Sequence, residues 1–246
     1  MPEGPTLFIL QEDTTRFVGQ NIVAAEGNTK SIDPRELVGQ PILSLRAWGK
    51  HFIIELPTVA LRIHFLLFGS YAIDEHKEGR FKRLGLNMED GGELNFYACS
   101  VKEIDPDLDA VYDWSANVMS DSWSPAKALK KLRAQPDMLV CDALLDQDVF
   151  AGVGNIIKNE VLFRIRVHPL STVGGLTAPK LRQLVAEART YSFDFLRWKK
   201  AYALKAHWLA HAKTVCPQCY IPLSKAKLGK TQRRAFFCEH CQKRYN

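Results

Sequence analysis

The stretch CPQCYIPLSKAKLGKTQRRAFFCEHC, residues 216–241, decides how the chain ends and what surrounds that end. Cys216 and Cys219 form one C-x2-C pair, Cys238 and Cys241 form another, and 18 residues lie between the pairs. Each pair can set two thiolates on one metal ion from a tight turn, and two pairs complete a closed tetrahedral site. One structural Zn2+ is the expected ion, because four sulfurs leave no open position for a catalytic water. The intervening YIPLSKAKLGKTQRRAFF is basic and carries apolar residues near both ends. It predicts a β-hairpin, braced by the metal, whose tip presents Lys and Arg to phosphates.

The hairpin sits in a basic block. Residues 197–246 hold twelve Lys and Arg against one acid, Glu239, whereas all 246 residues carry 33 basic and 27 acidic side chains for a net charge of +6. The last fifth of the chain is therefore +11 and the rest −5. Such a block points to a polyanion as partner, nucleic acid before acidic membrane. A chain that is 46% hydrophobic and 24% charged is an ordinary packed globule rather than a disordered tail. No run of 18 apolar residues occurs, and MPEGPTLFIL lacks a basic n-region and a small-residue cleavage site, so the reading predicts an intracellular, cytoplasmic protein without a membrane partner. Cys99 and Cys141, outside the paired cysteines, are then read as buried thiols.

Moving toward the N-terminus, PAKALKKLRA, MLVCDALLDQDVF, NIIKNEVLFRI and a long run from Thr177 to Lys200 have helical character. Between two of these patterns, Ala151–Asn155 is a glycine turn. Gly152 and Gly154 allow close backbone approach, and a helix opening at Asn155 offers N–H groups, a partial positive charge and an amide donor to a phosphate. Taken alone, these glycines also suit a plain helix–helix connection. Asp146 and Glu160 flank the turn and are expected to hold it by hydrogen bonds, while His168-Pro169 is expected to end a helix. Residues 105–125 lack a clear period and are read as containing the linker. Before them, 21–27, 41–48, 51–56, 59–68 and 93–98 are β-branched or alternating and predict short antiparallel strands in a sandwich or barrel. His64, on one of these strands, reads as a packed histidine. Residues 6–18, with Pro5 ahead and Gly19 behind, predict an N-terminal helix. The fold class is α+β and multidomain: a helix plus antiparallel β-sandwich over 1–120, a helical domain over 121–210 and a zinc-bearing hairpin over 211–246.

Pro2 becomes the N-terminus once the initiator Met is removed, leaving a secondary amine that is partly neutral near pH 8 and can attack an aldehyde-like carbon. Glu3 beside it can serve as general acid or base. By itself PEGP reads as an ordinary start, and the motif context decides.

That context is a resemblance. The start PEGPT, the segment AGVGN with its continuation NEVLF and His168-Pro169, and the closing QRRAFFCEHCQ together resemble the formamidopyrimidine-DNA glycosylase and endonuclease VIII family, in the family's order from Pro2 to Gln242. The resemblance implies that Pro2 attacks C1′ of a damaged nucleotide with Glu3 assisting proton transfer, and that Lys50 in WGKHF holds phosphate from a β-hairpin. It makes the helical domain a helix-two-turn-helix, with Gly154 and Asn155 on DNA, and Arg233 the phosphate-binding arginine of the finger. The segment LRIHFLLFGSY resembles the endonuclease VIII strand that fills the gap left by a flipped base, with Leu66, Leu67 and Phe68 as wedges. Strand alternation would bury one of the three. ELNFYACSVKEI lacks the Arg-x-Phe pair of the purine-specific branch, and the stretch before Cys216 is short for that branch's lesion-capping loop. Thr6 stands where the family often has a second glutamate, and KAHWLAHAKTV departs from the usual pattern. The implied activity is a monomeric glycosylase and abasic-site lyase acting on oxidised pyrimidines in double-stranded damaged DNA. The alternatives are 8-oxoguanine and formamidopyrimidine specificity, or a non-catalytic protein that binds damaged DNA.

Overall fold

The computed structural model describes residues 2–246, and the chain divides into two compact units, one ending at Tyr112 and the other beginning at Asp113. In the first, α1 (Gly4–Thr14) carries Pro5 in its opening turn, where a missing N–H has no helical partner to lose. A 3-10 turn over Thr15–Phe17 continues it, and Gly19 ends the run at φ +88°, a conformation glycine adopts without a Cβ penalty.

Eight strands follow: β1 (Ile22–Glu26), β2 (Ser44–Trp48), β3 (His51–Glu55), β4 (Ala60–His64), β5 (Ser70–Ile73), β6 (Lys82–Met88), β7 (Glu93–Tyr97) and β8 (Ser100–Ile104), with the short α2 (Leu108–Val111) after them. They form two antiparallel sheets in the orders β1-β6-β7-β5 and β2-β3-β4-β8. Alternate residues of the second sheet, among them Leu45, Phe52, Ile54, Leu61 and Ile63, meet Leu84, Leu86, Leu94 and Phe96 of the first in one apolar core. Leu7 and Leu10 of α1 are wholly buried in that core, and the helix lies on β2 and β3.

Two features of this unit depart from the sequence reading. The run 59–68 is not one strand: β4 ends at His64, and the Gly69 N–H donates to the Phe65 carbonyl at 2.7 Å to close a tight turn. A Cβ on Gly69 would lie 2.2 Å from that carbonyl oxygen, so the turn requires glycine. The expected alternation therefore stops, and Leu66, Leu67 and Phe68 are all exposed instead of one being buried. Strands β5, β6 and β8 went unpredicted: β5 is four residues long, β8 is largely polar, and the apolar pattern of β6 is interrupted by Gly85, whose absent side chain leaves room for the Asn95 amide.

The second unit contains α3 (Pro125–Arg133), α4 (Val140–Ala143), α5 (Asn155–Arg164), α6 (Ala178–Lys200) and an antiparallel hairpin of β9 (Ser224–Leu228) and β10 (Arg233–Phe237). Ser124 and Thr177 cap α3 and α6 by accepting from the Lys127 and Lys180 N–H groups. The apolar run 138–150 is α-helical only across α4; beyond it the chain is folded into turns by its own polar side chains. His168-Pro169 does not end a helix, since α5 stops at Arg164 and the His168 N–H donates to the Lys243 carbonyl at 2.9 Å. His168 is buried with its ring edge-on to Phe237, 4.7 Å between centroids. No helix among the described residues is long and apolar enough to cross a membrane.

Candidate functional site

Pro2 is half-buried, and Glu3 is buried as the N-cap residue of α1, its carbonyl accepting from the Thr6 N–H at 2.9 Å. The two residues are thus mounted on a helix whose inner face is locked by Leu7 and Leu10. Thr6 is half-exposed and supplies no carboxylate.

Lys50 stands at the tip of the β2–β3 hairpin. Trp48 pairs with His51 across a two-residue loop, Gly49-Lys50, in which Gly49 takes φ +55°, as a tight hairpin turn demands. The register continues from His51 to His64 on β4, and the two imidazoles meet edge to face at 5.5 Å. Trp48 and Tyr112 pack around them, 4.9 Å apart. Burial, reinforced by Arg62, His64 and Lys50, pushes the His51 imidazole down to about 3. Burial followed by the charges of Lys50 and Arg62 also lowers His64. Both histidines are therefore neutral at cellular pH beside fixed cations, and the hairpin end is electropositive without them.

In the second unit the glycine turn has a different custodian from the one the sequence suggested. Gln147 accepts from the Gly152 N–H at 3.1 Å and donates to the Leu145 and Val153 carbonyls at 2.8 and 3.2 Å. Asp146 accepts from the Asp148 N–H at 2.9 Å and shapes the approach to the turn. Glu160 is turned elsewhere: its carboxylate accepts from the N–H groups of Leu209, Ala210 and His211 at 2.9, 2.9 and 2.7 Å. It fixes the atypical segment before Cys216, which the sequence left without an anchor. Gly152 takes φ +103°, Gly154 caps α5, and Asn155 opens the helix with its Oδ1 buried and lacking a hydrogen-bond partner. Amide O and N are interchangeable in shape, so this position can meet a ligand donor or acceptor.

The four paired cysteines converge. Their Sγ atoms lie within 4.8 Å of one another, with Cys216–Cys241 at 3.8 Å and Cys219–Cys238 at 3.4 Å. A tetrahedron of thiolates at roughly 2.3 Å from a zinc ion has edges of about 3.8 Å, whereas a disulfide needs about 2.05 Å, so the group suits one metal ion. Cys99 and Cys141 are buried apart from it, each thiol pushed up to about 11, by burial first.

The four-cysteine cluster is not the hairpin's sole brace, which the sequence did not reveal. At its turn Asp142 of α4 accepts from the Lys230 and Thr231 N–H groups at 2.9 and 3.2 Å and from the Thr231 hydroxyl at 3.0 Å. Along β10, the Arg234 carbonyl accepts from Lys158 Nζ at 3.2 Å and Asn159 Nδ2 at 3.3 Å, and Asn159 Oδ1 receives the Phe236 N–H at 3.3 Å. Lys158, Asn159 and Glu160 are all buried on α5. Pairing of Arg234 with Lys227 and of Phe236 with Lys225 puts three exposed cations on one hairpin face; Arg233, half-exposed, falls on the other with Ala235.

Comparison with known proteins agrees with this geometry. Residues 1–99 match the formamidopyrimidine-DNA glycosylase N-terminal domain, and residues 117–191 match the formamidopyrimidine-DNA glycosylase H2TH domain. Endonuclease 8-like 3 of Mus musculus is 32% identical over 203 residues, which is 79% of this chain and 33% of that protein. Endonuclease 8-like 2 of the same species is 34% identical over 197 residues, 74% of this chain and 57% of that protein. The chain thus spans between a third and somewhat over half of these relatives. A viral DNA glycosylase superposes with a TM-score of 0.87 at 19% identity, covering 98% of this chain and 100% of that one. The Lactococcus lactis formamidopyrimidine-DNA glycosylase, non-covalently bound to DNA containing an AP site, gives 0.85 at 22% identity with the same coverage.

Proposed function

Since the chain belongs to the formamidopyrimidine-DNA glycosylase and endonuclease VIII family, we propose that it excises oxidised bases, pyrimidines above all, from duplex DNA and then cleaves the strand at the abasic site. The observation that carries this reading is the Pro2-Glu3 pair on a core-locked helix, an amine and a buried carboxyl in adjacent positions.

In this reading the Pro2 nitrogen, freed of Met1, forms a bond to C1′ as the glycosidic bond breaks and the base leaves with its electron pair. Opening of the sugar ring gives an iminium cation on Pro2, an electron sink that acidifies C2′. Glu3 shuttles the protons. Loss of a C2′ proton expels the 3′ phosphate by β-elimination, and δ-elimination expels the 5′ phosphate; water then hydrolyses the iminium, releasing the sugar remnant as an unsaturated aldehyde, restoring the Pro2 amine and leaving a one-nucleotide gap. Lys50, Asn155 and Arg233 hold phosphates, Gly154 admits the backbone, and Leu66, Leu67 and Phe68 enter the space vacated by the flipped nucleotide. Cys216, Cys219, Cys238 and Cys241 would hold one zinc ion, which would brace the hairpin and take no part in the reaction. Only two residues, Ala98 and Cys99, join β7 to β8, leaving no room there for an inserted arginine and aromatic pair, which favours pyrimidine lesions.

Borohydride trapping tests the reading. A covalent adduct with abasic and thymine-glycol duplexes is expected, lost in Pro2→Gly or when Met1 is retained. Faster excision of thymine glycol than of 8-oxoguanine opposite cytosine is the expected specificity. Absence of any adduct with tight binding retained would turn the protein into a damage-binding module.

A further inference from the structure

A cavity of about 440 Å3 in the first unit is lined by Asn28, Phe68, Arg80, Phe81, Arg83 and Ala98, with Tyr97 behind. Two phenylalanines on its wall are unusually bare, Phe68 at 82% and Phe81 at 88% exposure. Hydrated aromatic surface gathered in one concavity is unfavourable until a ligand covers it. The two arginines have no carboxylate partner among the described residues. Arg80 reaches the Ser70 hydroxyl at 3.5 Å, Arg83 donates to the Asn28 carbonyl at 3.0 Å, and nearby Glu26 is taken by Lys82 at 2.6 Å. The two-residue β7–β8 turn, with Ala98 at φ +48°, keeps one rim low. Aromatic rings beside guanidiniums free of carboxylates form a stacking platform for an unstacked nucleobase and its phosphates.

We propose that this cavity receives the base opposite the lesion, the one that loses its partner when the damaged nucleotide is flipped. Phe81 stacks on that base, and Arg80 and Arg83 contact its flanking phosphates. Phe68 belongs both to the turn that exposes Leu66, Leu67 and Phe68 and to the cavity wall, so a base left unpaired at that turn arises beside the cavity. The flipped nucleotide has its own destination at Pro2, which does not line the cavity. The inference rests on the glycosylase reading.

The test places 5-iodouracil opposite a tetrahydrofuran abasic analogue in a duplex and irradiates its complex with the full chain. A crosslink mapped to Phe81 or Phe68 is expected, absent when the iodouracil is moved to the lesion strand or several base pairs away. Phe81→Ala should weaken binding of this duplex roughly tenfold while Phe81→Trp restores it. Arg80→Gln and Arg83→Gln should each reduce the slope of log K against log salt by about 0.9, a slope Phe81→Ala leaves alone. Because Phe81 is exposed, its variants test binding rather than folding. Borohydride trapping by the unaltered chain on abasic duplex reads the glycosylase reaction separately from this affinity. A crosslink confined to other residues, or unchanged affinity in Phe81→Ala while the unaltered chain traps, would overturn the cavity assignment and leave the glycosylase standing. Failure of the unaltered chain to trap would bring down both.

Discussion

In the first unit Pro2 and Glu3 ride on a helix whose Leu7 and Leu10 disappear into a core drawn from two sheets. In the second, the β9–β10 hairpin and the segment before Cys216 depend on Asp142, Lys158, Asn159 and Glu160, polar side chains that are themselves buried. Apolar packing is non-directional and spreads a lost methyl group over many neighbours. A buried carboxylate holding two or three N–H groups is directional, and its loss strands every donor it served. The hairpin needs such anchors because its own buried cluster is small, centred on Phe163, Ala210, Cys216 and Cys238. The first unit should therefore weaken gradually under substitution, and the second should fail locally and abruptly.

Metal removal should break the comparison most widely. For small metal-braced modules, binding supplies on the order of 10 kcal/mol of folding free energy. Chelation, or Cys238→Ser, is expected to abolish hydrogen-exchange protection over 216–241 and DNA retention with it, while β2, β3 and β4 stay protected. Protection of the hairpin surviving complete metal loss would show that Asp142 and Glu160 suffice without the ion.

Glu160→Ala comes next. It leaves the N–H groups of residues 209–211 in the interior without their acceptor, at a cost of about 3–5 kcal/mol. Glu160→Gln, which keeps an acceptor oxygen and the shape, should recover part of this. Urea unfolding followed by exchange in α5 reads both, and a loss below about 1 kcal/mol in Glu160→Ala would remove the basis for contrasting the units.

What the sequence discloses about these two units follows the range of the forces involved. The cysteine pairs, α5 and α6 were legible because spacing and period are local properties. The sandwich was legible as a class, but β6 was hidden by Gly85, and the end of β4 by a turn that only the approach of Gly69 to Phe65 explains. Pro2, Glu3 and Lys50 came through motif resemblance, and their roles stay proposals. The anchors were illegible in a stricter sense, since Asp142 finds Thr231 from 89 residues away and no periodicity encodes that meeting. One signal was present: Lys158, Asn159 and Glu160 are three consecutive polar residues in a helix apolar on either side, so some of them had to be buried with partners.

A matched pair of near-isosteric changes sharpens the contrast at smaller scale. Asp142→Asn preserves volume but replaces one acceptor oxygen by a donor facing donors, so about 1–3 kcal/mol should be lost. Ile54→Val removes one methyl group from the sandwich core and should cost about 0.5–1.5 kcal/mol. Salt titration of DNA binding should move with the first and not with the second, because Asp142 holds the turn beside Lys230.

The finest distinction lies in acid response, where each unit holds a histidine that folding keeps neutral. His51 is pushed down to about 3 by burial, Arg62 and its other cationic neighbours, and His211 to about 4 by burial and then Lys158. The folded-state values lie below the unfolded value near 6.5. As pH falls through 6.5, the unfolded chain takes up protons that the folded chain refuses, and stability is lost down to the folded values. From pH 7 to pH 6 the expected loss is about 0.7 kcal/mol per histidine, steepening toward about 1.4 kcal/mol per further pH unit. His64, lowered in the same direction, adds to the loss in the first unit. His51→Gln should flatten the acid dependence of exchange in β2, β3 and β4 and leave that of α5 unchanged. If both units flatten together, their stabilities are coupled more tightly than separate anchoring allows; if neither does, the His51 imidazole titrates alike in the folded and unfolded chains and burial does not hold it neutral.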